Sequence, residues 1–146
     1  MWVLINGQKV KLRLIGIDTP EKYPGKKLER DARECSVSKG HMKNLGQEAT
    51  HHAKKLLHKG EQVKVVTYGH DCYGRTLAII YLPDGTNYNE KMVADGYACV
   101  YRYCAHKSRQ LPQEEKKKLN QLLEEAKKNR RGLWGKDYRV MECLCR

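Results

Sequence analysis

The segment at residues 13–21 places one cation and two carboxylates at the end of a predicted strand. It reads Arg-Leu-Ile-Gly-Ile-Asp-Thr-Pro-Glu, and its proline ends the strand near Asp18 because proline cannot donate a hydrogen bond to a ladder. We therefore expect Asp18, the carbonyl of Thr19 and Glu21 to lie close together, beside the guanidinium of Arg13. Carboxylate and carbonyl oxygens are the ligands that Ca²⁺ and Mg²⁺ prefer. The alternative interpretation is a strand that ends in a turn, with Arg13 paired to one of the two acids.

A second cation is expected from the turn at residues 71–75, which reads Asp-Cys-Tyr-Gly-Arg. Asp71 and the glycine favour a turn, and Arg75 then stands at the start of a strand. Tyrosine rings near the end of a later predicted strand offer faces on which a nucleic-acid base can stack. These tyrosines are Tyr101 and Tyr103.

These groups together match the requirements of phosphodiester hydrolysis. A divalent cation held by carboxylates neutralises charge on a phosphate, and guanidinium groups bind the phosphate oxygens as charge grows in the transition state. A carboxylate is also needed to orient or deprotonate the attacking water. The residue types are all present, and the elements that carry them must bring them together.

The charge of the chain favours a polyanionic partner. Its 146 residues include 29 lysines and arginines against 17 aspartates and glutamates, which gives a net charge of +12. Nucleic acid is the commonest partner for such a charge, and an anionic membrane surface is the weaker alternative. No apolar run approaches the length of a transmembrane helix, and the first residues lack the long apolar core of a signal peptide. We therefore predict no membrane partner and leave the compartment and the oligomeric state open.

The six cysteines do not form a Cys-x-x-Cys pair, so the usual spacing of a zinc site is missing. Cys143 and Cys145 are too close for an easy disulfide with each other. A bridge between Cys99 and Cys104, or a bridge to the tail, stays open. A zinc-stabilised domain that uses Cys99, Cys104, Cys143 and Cys145 is a weaker third hypothesis.

Hydrophobic periodicity and turn residues predict one α+β domain that contains a small barrel. The predicted elements are strands at 1–5 and 8–17 joined by an Asn-Gly turn, a long mobile loop at 22–44, a helix at 47–58, strands at 61–68 and 76–82, a helix at 89–95 with Asn89 as its N-cap, a strand at 97–103 and a helix at 113–131. The Asn-Gly dipeptide is a strong hairpin signal. The loop is predicted from its lysines, its proline and its glycines.

Several segments, in this order, resemble the staphylococcal-nuclease (thermonuclease) family over nearly the whole chain. They are Arg-Leu-Ile-Gly-Ile-Asp-Thr-Pro-Glu (13–21), Asp-Cys-Tyr-Gly-Arg (71–75), Leu-Ala-Ile-Ile-Tyr (77–81), Asn-Glu-Lys-Met-Val-Ala-Asp-Gly-Tyr-Ala (89–98), Tyr-Arg-Tyr (101–103) and Gly-Leu-Trp (132–134). The resemblance implies an OB-fold with a five-stranded barrel and three helices. It also implies Ca²⁺-dependent cleavage of DNA and RNA, with single strands preferred, in which water attacks phosphorus and 3′-phosphate ends are left.

The resemblance also implies a role for each site residue. Arg13 and Arg75 would bind the phosphate, and Glu21 would position or deprotonate water. Asp18 and the carbonyl of Thr19 would be Ca²⁺ ligands. The residues implied to line the nucleotide pocket are Asp71, Tyr73, Tyr101 and Tyr103.

The chain departs from the family pattern at its start. The family carries an Asp-Gly-Asp-Thr type motif on its first strand, and counting back from Arg13 its second aspartate would fall just before Met1. Loss of an anionic ligand weakens a hard-cation site, so we expect impaired activity. Three explanations stay open: a chain trimmed at its N-terminus, a substitute ligand, or an OB-fold module that binds nucleic acid without cleaving it.

Overall fold

The structure is a computed structural model that describes residues 1–100 and 111–145. Within these ranges the fold mixes helices and strands, as predicted. In chain order the elements are β1 (Trp2–Ile5), β2 (Gln8–Leu14), β3 (Ile17–Asp18), α1 (Lys26–Glu34), α2 (Lys39–Leu56), β4 (Lys64–His70), β5 (Thr76–Tyr81), α3 (Tyr88–Ala94), β6 (Cys99–Val100), α4 (Gln113–Lys128), α5 (Leu133–Lys136) and α6 (Tyr138–Leu144). None of these helices is long and apolar enough to cross a membrane.

The strands of the described residues form an open four-stranded sheet in the order β1-β2-β5-β4, and β3 pairs separately with β6. The β2–β5 pair is parallel, whereas the β1–β2, β4–β5 and β3–β6 pairs are antiparallel. These residues contain no closed barrel and more than three helices, so they do not show the predicted OB-fold with a five-stranded barrel and three helices. One reason is that β2 ends at Leu14. The chain turns at Gly16, whose φ is 82°, and Ile17 then joins β6 instead of extending the sheet.

The hairpin at the start of the chain is confirmed. Asn6 and Gly7 both have positive φ, as the favoured two-residue hairpin turn requires. The register pairs Trp2 with Lys11 and Leu4 with Lys9. Solvent-exposed residues therefore lie opposite each other across this hairpin.

The prediction of a loop over 22–44 is wrong, because α1 and the beginning of α2 occupy most of it. Leu28 and Ala32 lie one helical turn apart on α1, and both are buried in the core. Ser38 caps α2 by accepting a hydrogen bond from the backbone amide of His41 at 3.0 Å. The charged residues of this segment cover the solvent side of α1, so its two buried apolar positions were too few to reveal a helix.

The cap predicted for α3 lies two residues too late in the chain. Asn87 is the N-cap and accepts from the amide of Glu90 at 3.0 Å. Asn89 is instead completely buried, and its side-chain amide donates to the carbonyls of Ile15 and Ala78, each at 3.1 Å. Asn89 therefore fixes the backbone between β2 and the acidic end of the 13–21 segment.

Two disulfides attach the tail to the rest of the fold. Cys35, which follows α1, is bonded to Cys143, and Cys99 on β6 is bonded to Cys145. This confirms the tail bridge, one of the two alternatives left open. It also removes the zinc hypothesis, because a sulfur in a disulfide is not the thiolate that zinc requires. Cys104 lies outside the described residues.

Candidate active site

The acidic end of the 13–21 segment forms a chain of alternating charges with α1. The guanidinium of Arg13 lies 3.5 Å from Asp18, and the ammonium of Lys27 lies 3.5 Å from the other oxygen of Asp18. Lys27 also donates to Asp31 at 3.1 Å. The pairing of Arg13 with an acid, which was the alternative interpretation of this segment, is therefore present, and α1 adds a second cation that the sequence had not suggested.

Lys27 is surrounded by carboxylates. Burial alone would lower its pKa, but Asp18, the hydrogen bond to Asp31 and the nearby charge of Glu21 together hold the pKa above its ordinary value. The charge of Glu21 therefore acts on the same ammonium that pairs with Asp18. That Asp18 and Glu21 serve one site stays a prediction.

Glu21 is oriented by its own turn and by the close approach of α2. Its Oε1 accepts hydrogen bonds from the backbone amides of Lys22 at 3.0 Å and Tyr23 at 3.1 Å. The backbone of Glu21 lies against Gly46 of α2, where an added Cβ would be only 2.7 Å from the Glu21 carbonyl. A glycine inside α2 thus lets the helix support the segment that carries Glu21.

The turn at 71–75 is organised by one buried carboxylate. Asp71, whose side chain is 1% exposed, accepts from the amides of Tyr73 and Arg75, both at 2.9 Å. Its second oxygen accepts from Nε of Arg75 at 2.7 Å. Burial alone would raise the pKa of Asp71, but these amide and guanidinium donors hold it below its ordinary value. Asp71 is therefore ionised at neutral pH, and its carboxylate fixes the direction of the Arg75 guanidinium.

Tyr73 lies at the outer side of this turn and is 81% exposed. The guanidinium carbon of Arg75 is 5.5 Å from the centre of its ring, within the range of a cation–π contact. This exposure leaves Tyr73 accessible to a ligand. Tyr101 and Tyr103 lie outside the described residues.

The sheet register brings the two halves of the site toward each other. Leu12 of β2 is paired with Thr76 of β5, so Arg75 stands one residue before a strand that runs beside the strand of Arg13. The partly buried amine of Met1 donates to the carbonyl of Leu12 at 3.2 Å, and burial together with the charges of Lys11, Arg13 and Arg75 lowers its pKa. Arg13 thus lies on β2, and Arg75 lies immediately before the neighbouring strand β5.

The donors at the acidic end fit the chemistry of a hard cation, although they are few. Asp18 supplies a partly exposed carboxylate beside the carbonyl of Thr19, and both are oxygen donors of the kind that Ca²⁺ takes. Among residues 1–100 and 111–145 there is no cluster of three acidic, histidine or cysteine side chains that could hold a metal. A cation bound here would also compete with the ammonium of Lys27. The described residues thus fit a hard cation only in part, with one carboxylate and one carbonyl oxygen.

Sequence reasoning missed the residues that support the site from outside the two motifs. They are Lys27, Asp31, Gly46 and Asn89. The i, i+4 spacing of Lys27 and Asp31 is a helical signal that could have been noticed in the assumed loop. Gly46 and Asn89 carry no such signal, because their roles depend on segments that are distant in sequence.

Comparison with known proteins identifies the family of the chain. The model of the family described as staphylococcal nuclease homologues matches residues 11–136. The chain belongs to this family. The match includes both charged motifs and all the supporting residues of the site.

Named relatives of the family include nucleases. The chain is 28% identical to the endonuclease YhcR of Bacillus subtilis over 90% of its own length and 10% of that protein. It is 31% identical to an uncharacterized endonuclease of Escherichia coli O157:H7, with 90% of this chain and 67% of that protein covered. It is 29% identical to the micrococcal nuclease of Shigella flexneri, with 90% and 65% covered. The chain thus spans about a tenth of the first relative and about two thirds of the other two.

Proposed function

We propose that this chain is a nuclease that hydrolyses phosphodiester bonds in DNA and RNA with the help of Ca²⁺. The observation that supports this most directly is that Asp18, three residues before Glu21, pairs with both Arg13 and Lys27. Carboxylates and a guanidinium are thereby concentrated at one strand end of a chain with a net charge of +12. We further infer that the open sheet is a variant of the partly open five-stranded OB barrel.

In this proposal the two arginines bind the oxygens of the scissile phosphate. Guanidinium groups suit this role because they form paired, charge-assisted hydrogen bonds with phosphate. Arg75 is presented in a fixed direction by Asp71. Binding by both arginines would strengthen as negative charge accumulates on the phosphate in the transition state.

Glu21 is proposed to orient or deprotonate the attacking water. Its Oε1 is anchored by two backbone amides, so the carboxylate is held in place before substrate arrives. Attack of that water on phosphorus would break the bond to the 5′ oxygen and leave a 3′-phosphate end. Asp18 and the Thr19 carbonyl would hold Ca²⁺, which when bound supplies positive charge next to the phosphate. With so few protein ligands we expect weak affinity for Ca²⁺ and a correspondingly low activity.

The proposal is tested by cleavage of single-stranded DNA with Ca²⁺, with Mg²⁺ and with a chelator. Glu21→Gln should lower the Ca²⁺-dependent rate by about 10²- to 10⁴-fold, the range for loss of a general base. Glu29→Gln is the matched control, because Glu29 is an exposed glutamate on α1 that forms a surface ion pair with Lys39. Analysis of the ends should find 3′-phosphates.

Equal cleavage by the wild-type chain and Glu21→Gln would show that the catalytic assignment is wrong. Salt-dependent binding without cleavage under any of these conditions would favour the alternative, a non-catalytic OB-fold module that binds nucleic acid. Salt dependence by itself does not separate the two functions, since both require phosphate contacts.

A further inference from the structure

The outer face of the β1–β2 hairpin exposes large apolar side chains between lysines. Trp2 is 56% exposed and Leu4 is 75% exposed, and the register places Lys11 and Lys9 directly opposite them. Directly opposed residues of an antiparallel pair point to the same face of the sheet. We call Trp2, Leu4, Lys9 and Lys11 the hairpin strip.

The lysines of the hairpin strip gather around the indole ring. The ammonium of Lys9 is 4.9 Å from the centre of the Trp2 ring, and that of Lys11 is 5.7 Å from it. Both distances lie within cation–π range. The ring is therefore held at the surface by two cations instead of being covered by the core, whereas the other tryptophan, Trp134, is completely buried.

The hairpin strip continues into the candidate active site. Side chains alternate along a strand, so Lys9, Lys11 and Arg13 share one face of β2, spaced by roughly 7 Å for each pair of residues. Their exposure falls along this row, from exposed lysines to a half-buried arginine. Arg75 lies beside the inner end of the row, because the next residue, Thr76, is paired with Leu12 of β2.

We propose that the hairpin strip is a binding surface for the single-stranded nucleic acid that leads out of the active site, with Trp2 stacking on a base and the lysines contacting phosphates. This inference rests on the proposed function, since it assigns a path to the substrate of that site. An aromatic ring flanked by cations is the arrangement that sequence-tolerant single-strand binding uses. Stacking needs a base whose face is open, so the hairpin strip favours single strands over duplexes.

Nucleic acid is a better match for the hairpin strip than a membrane surface. Tryptophan, leucine and lysine also occur together at membrane interfaces. Here, however, the cations form a row that runs toward two arginines in the sheet, and a linear polyanion can follow such a row. Binding to vesicles of anionic lipid is accordingly kept as an outcome that would overturn the proposal.

The test measures fluorescence anisotropy of a labelled 12-nucleotide oligothymidylate with the chain in chelator, where Ca²⁺-dependent cleavage is prevented. Trp2→Ala should weaken binding about 5- to 100-fold, which is the measured scale of base–aromatic stacking. Trp2→Phe should restore most of the affinity. The double variant Lys9→Gln/Lys11→Gln should lower the slope of log affinity against log salt by about 1.4, or roughly 0.7 for each lost phosphate contact.

Matched controls separate this surface from general charge. The double variant Lys117→Gln/Lys128→Gln removes two exposed lysines of α4, a helix that packs against α3 and β6, and should change the affinity by less than twofold. Oligothymidylate should also quench the fluorescence of wild-type protein, and the quenching should disappear in Trp2→Phe, because Trp134 is buried. This spectroscopic change reports stacking even if a variant alters stability.

The inference and the proposed function fail in different ways. Unchanged oligonucleotide affinity in Trp2→Ala, with wild-type cleavage intact, overturns the hairpin strip alone. A wild-type chain that does not cleave, but whose binding needs Trp2, refutes the nuclease and keeps the hairpin strip. If Trp2→Ala weakens binding to a 12-base-pair duplex as much as binding to the single strand, a single-strand stacking surface is contradicted. It is also contradicted if Trp2→Ala weakens binding only to vesicles of anionic lipid.

Discussion

The turn at 71–75 holds its cation through bonds made within five residues, whereas the segment at 13–21 also depends on two helices that follow it in the chain, α1 and α2. Asp71 binds two amides and the guanidinium of its own turn. Asp18 and Glu21 are instead positioned by Lys27 on α1 and by the glycine at 46 on α2. The half of the site at 71–75 is therefore preorganised locally, whereas the acidic half at 13–21 also depends on tertiary packing. The two halves should therefore respond to different perturbations.

The largest effect is expected from removing the disulfide that secures α1. The paired variant Cys35→Ala/Cys143→Ala should lower the free energy of unfolding by about 2–4 kcal/mol, because the bridge closes a long loop and constrains the unfolded chain. The two cysteines are separated by 108 residues. Urea unfolding measures the loss, and cleavage assays should show that activity falls as α1 loosens.

The second disulfide provides the control for this prediction. Cys99→Ala/Cys145→Ala removes a bridge between cysteines that are only 46 residues apart, so it should lower the free energy of unfolding by somewhat less. Since the bridge between Cys35 and Cys143 remains, this variant should retain more activity than Cys35→Ala/Cys143→Ala when both are compared at the same free energy of unfolding. An unchanged activity in the Cys35→Ala/Cys143→Ala variant would mean that α1 does not support the acidic half.

A smaller loss of stability is expected from Asp71→Asn, which perturbs the local half. The variant should lower the free energy of unfolding by about 2 kcal/mol, the scale for a buried group in charge-assisted hydrogen bonds. The pKa of Asp71 is lowered in the folded state from an ordinary value of 3.8. Its carboxylate therefore stabilises the fold above that value, and the contribution is lost as the pH falls through the lowered folded pKa.

Urea unfolding of both proteins from pH 7 to pH 2 checks the sign of this effect. The difference between wild type and Asp71→Asn should be greatest at pH 7 and should shrink at the acid end. Asp84→Asn is the control, since Asp84 forms a similar turn contact with the amide of Thr86 but is exposed. A stability difference between the two proteins that grows toward acid pH would contradict the assignment of Asp71 as an ionised carboxylate at neutral pH.

The smallest stability change, with a selective effect on activity, is expected from Gly46→Ala. Alanine normally stabilises a helix relative to glycine, but here the new Cβ would meet the Glu21 backbone at 2.7 Å. We expect a net loss of about 1–2 kcal/mol from this overpacking, and a fall in kcat as Glu21 is displaced. Gly40→Ala in the same helix has its nearest neighbour at 3.9 Å and should be neutral or stabilising. Equal behaviour of the two variants would remove the support assigned to α2.

The sequence predicted well those parts of the site whose geometry is local. The hairpin, the α+β class and the Asp71 turn follow from residue types at fixed short spacings, and all three are present. The loop predicted at 22–44 was wrong because α1 is secured by Cys35 and Cys143, a pairing that spacing alone cannot identify. The cap prediction for Asn89 was wrong, because its carbonyl partners are Ile15, just after β2, and Ala78 on β5, which only the folded chain brings together.

The central claim is that the two differently built halves act on one phosphate, and a double-mutant cycle on Arg13 and Arg75 tests it most directly. The values of kcat/KM would be measured with single-stranded DNA for Arg13→Lys, Arg75→Lys and the double variant, with folding checked by urea unfolding. Arginines that bind the same phosphate should couple, so that the double variant loses much less than the product of the two single losses. Fully additive losses would mean that the arginines act independently and would contradict a single site shared by the two halves.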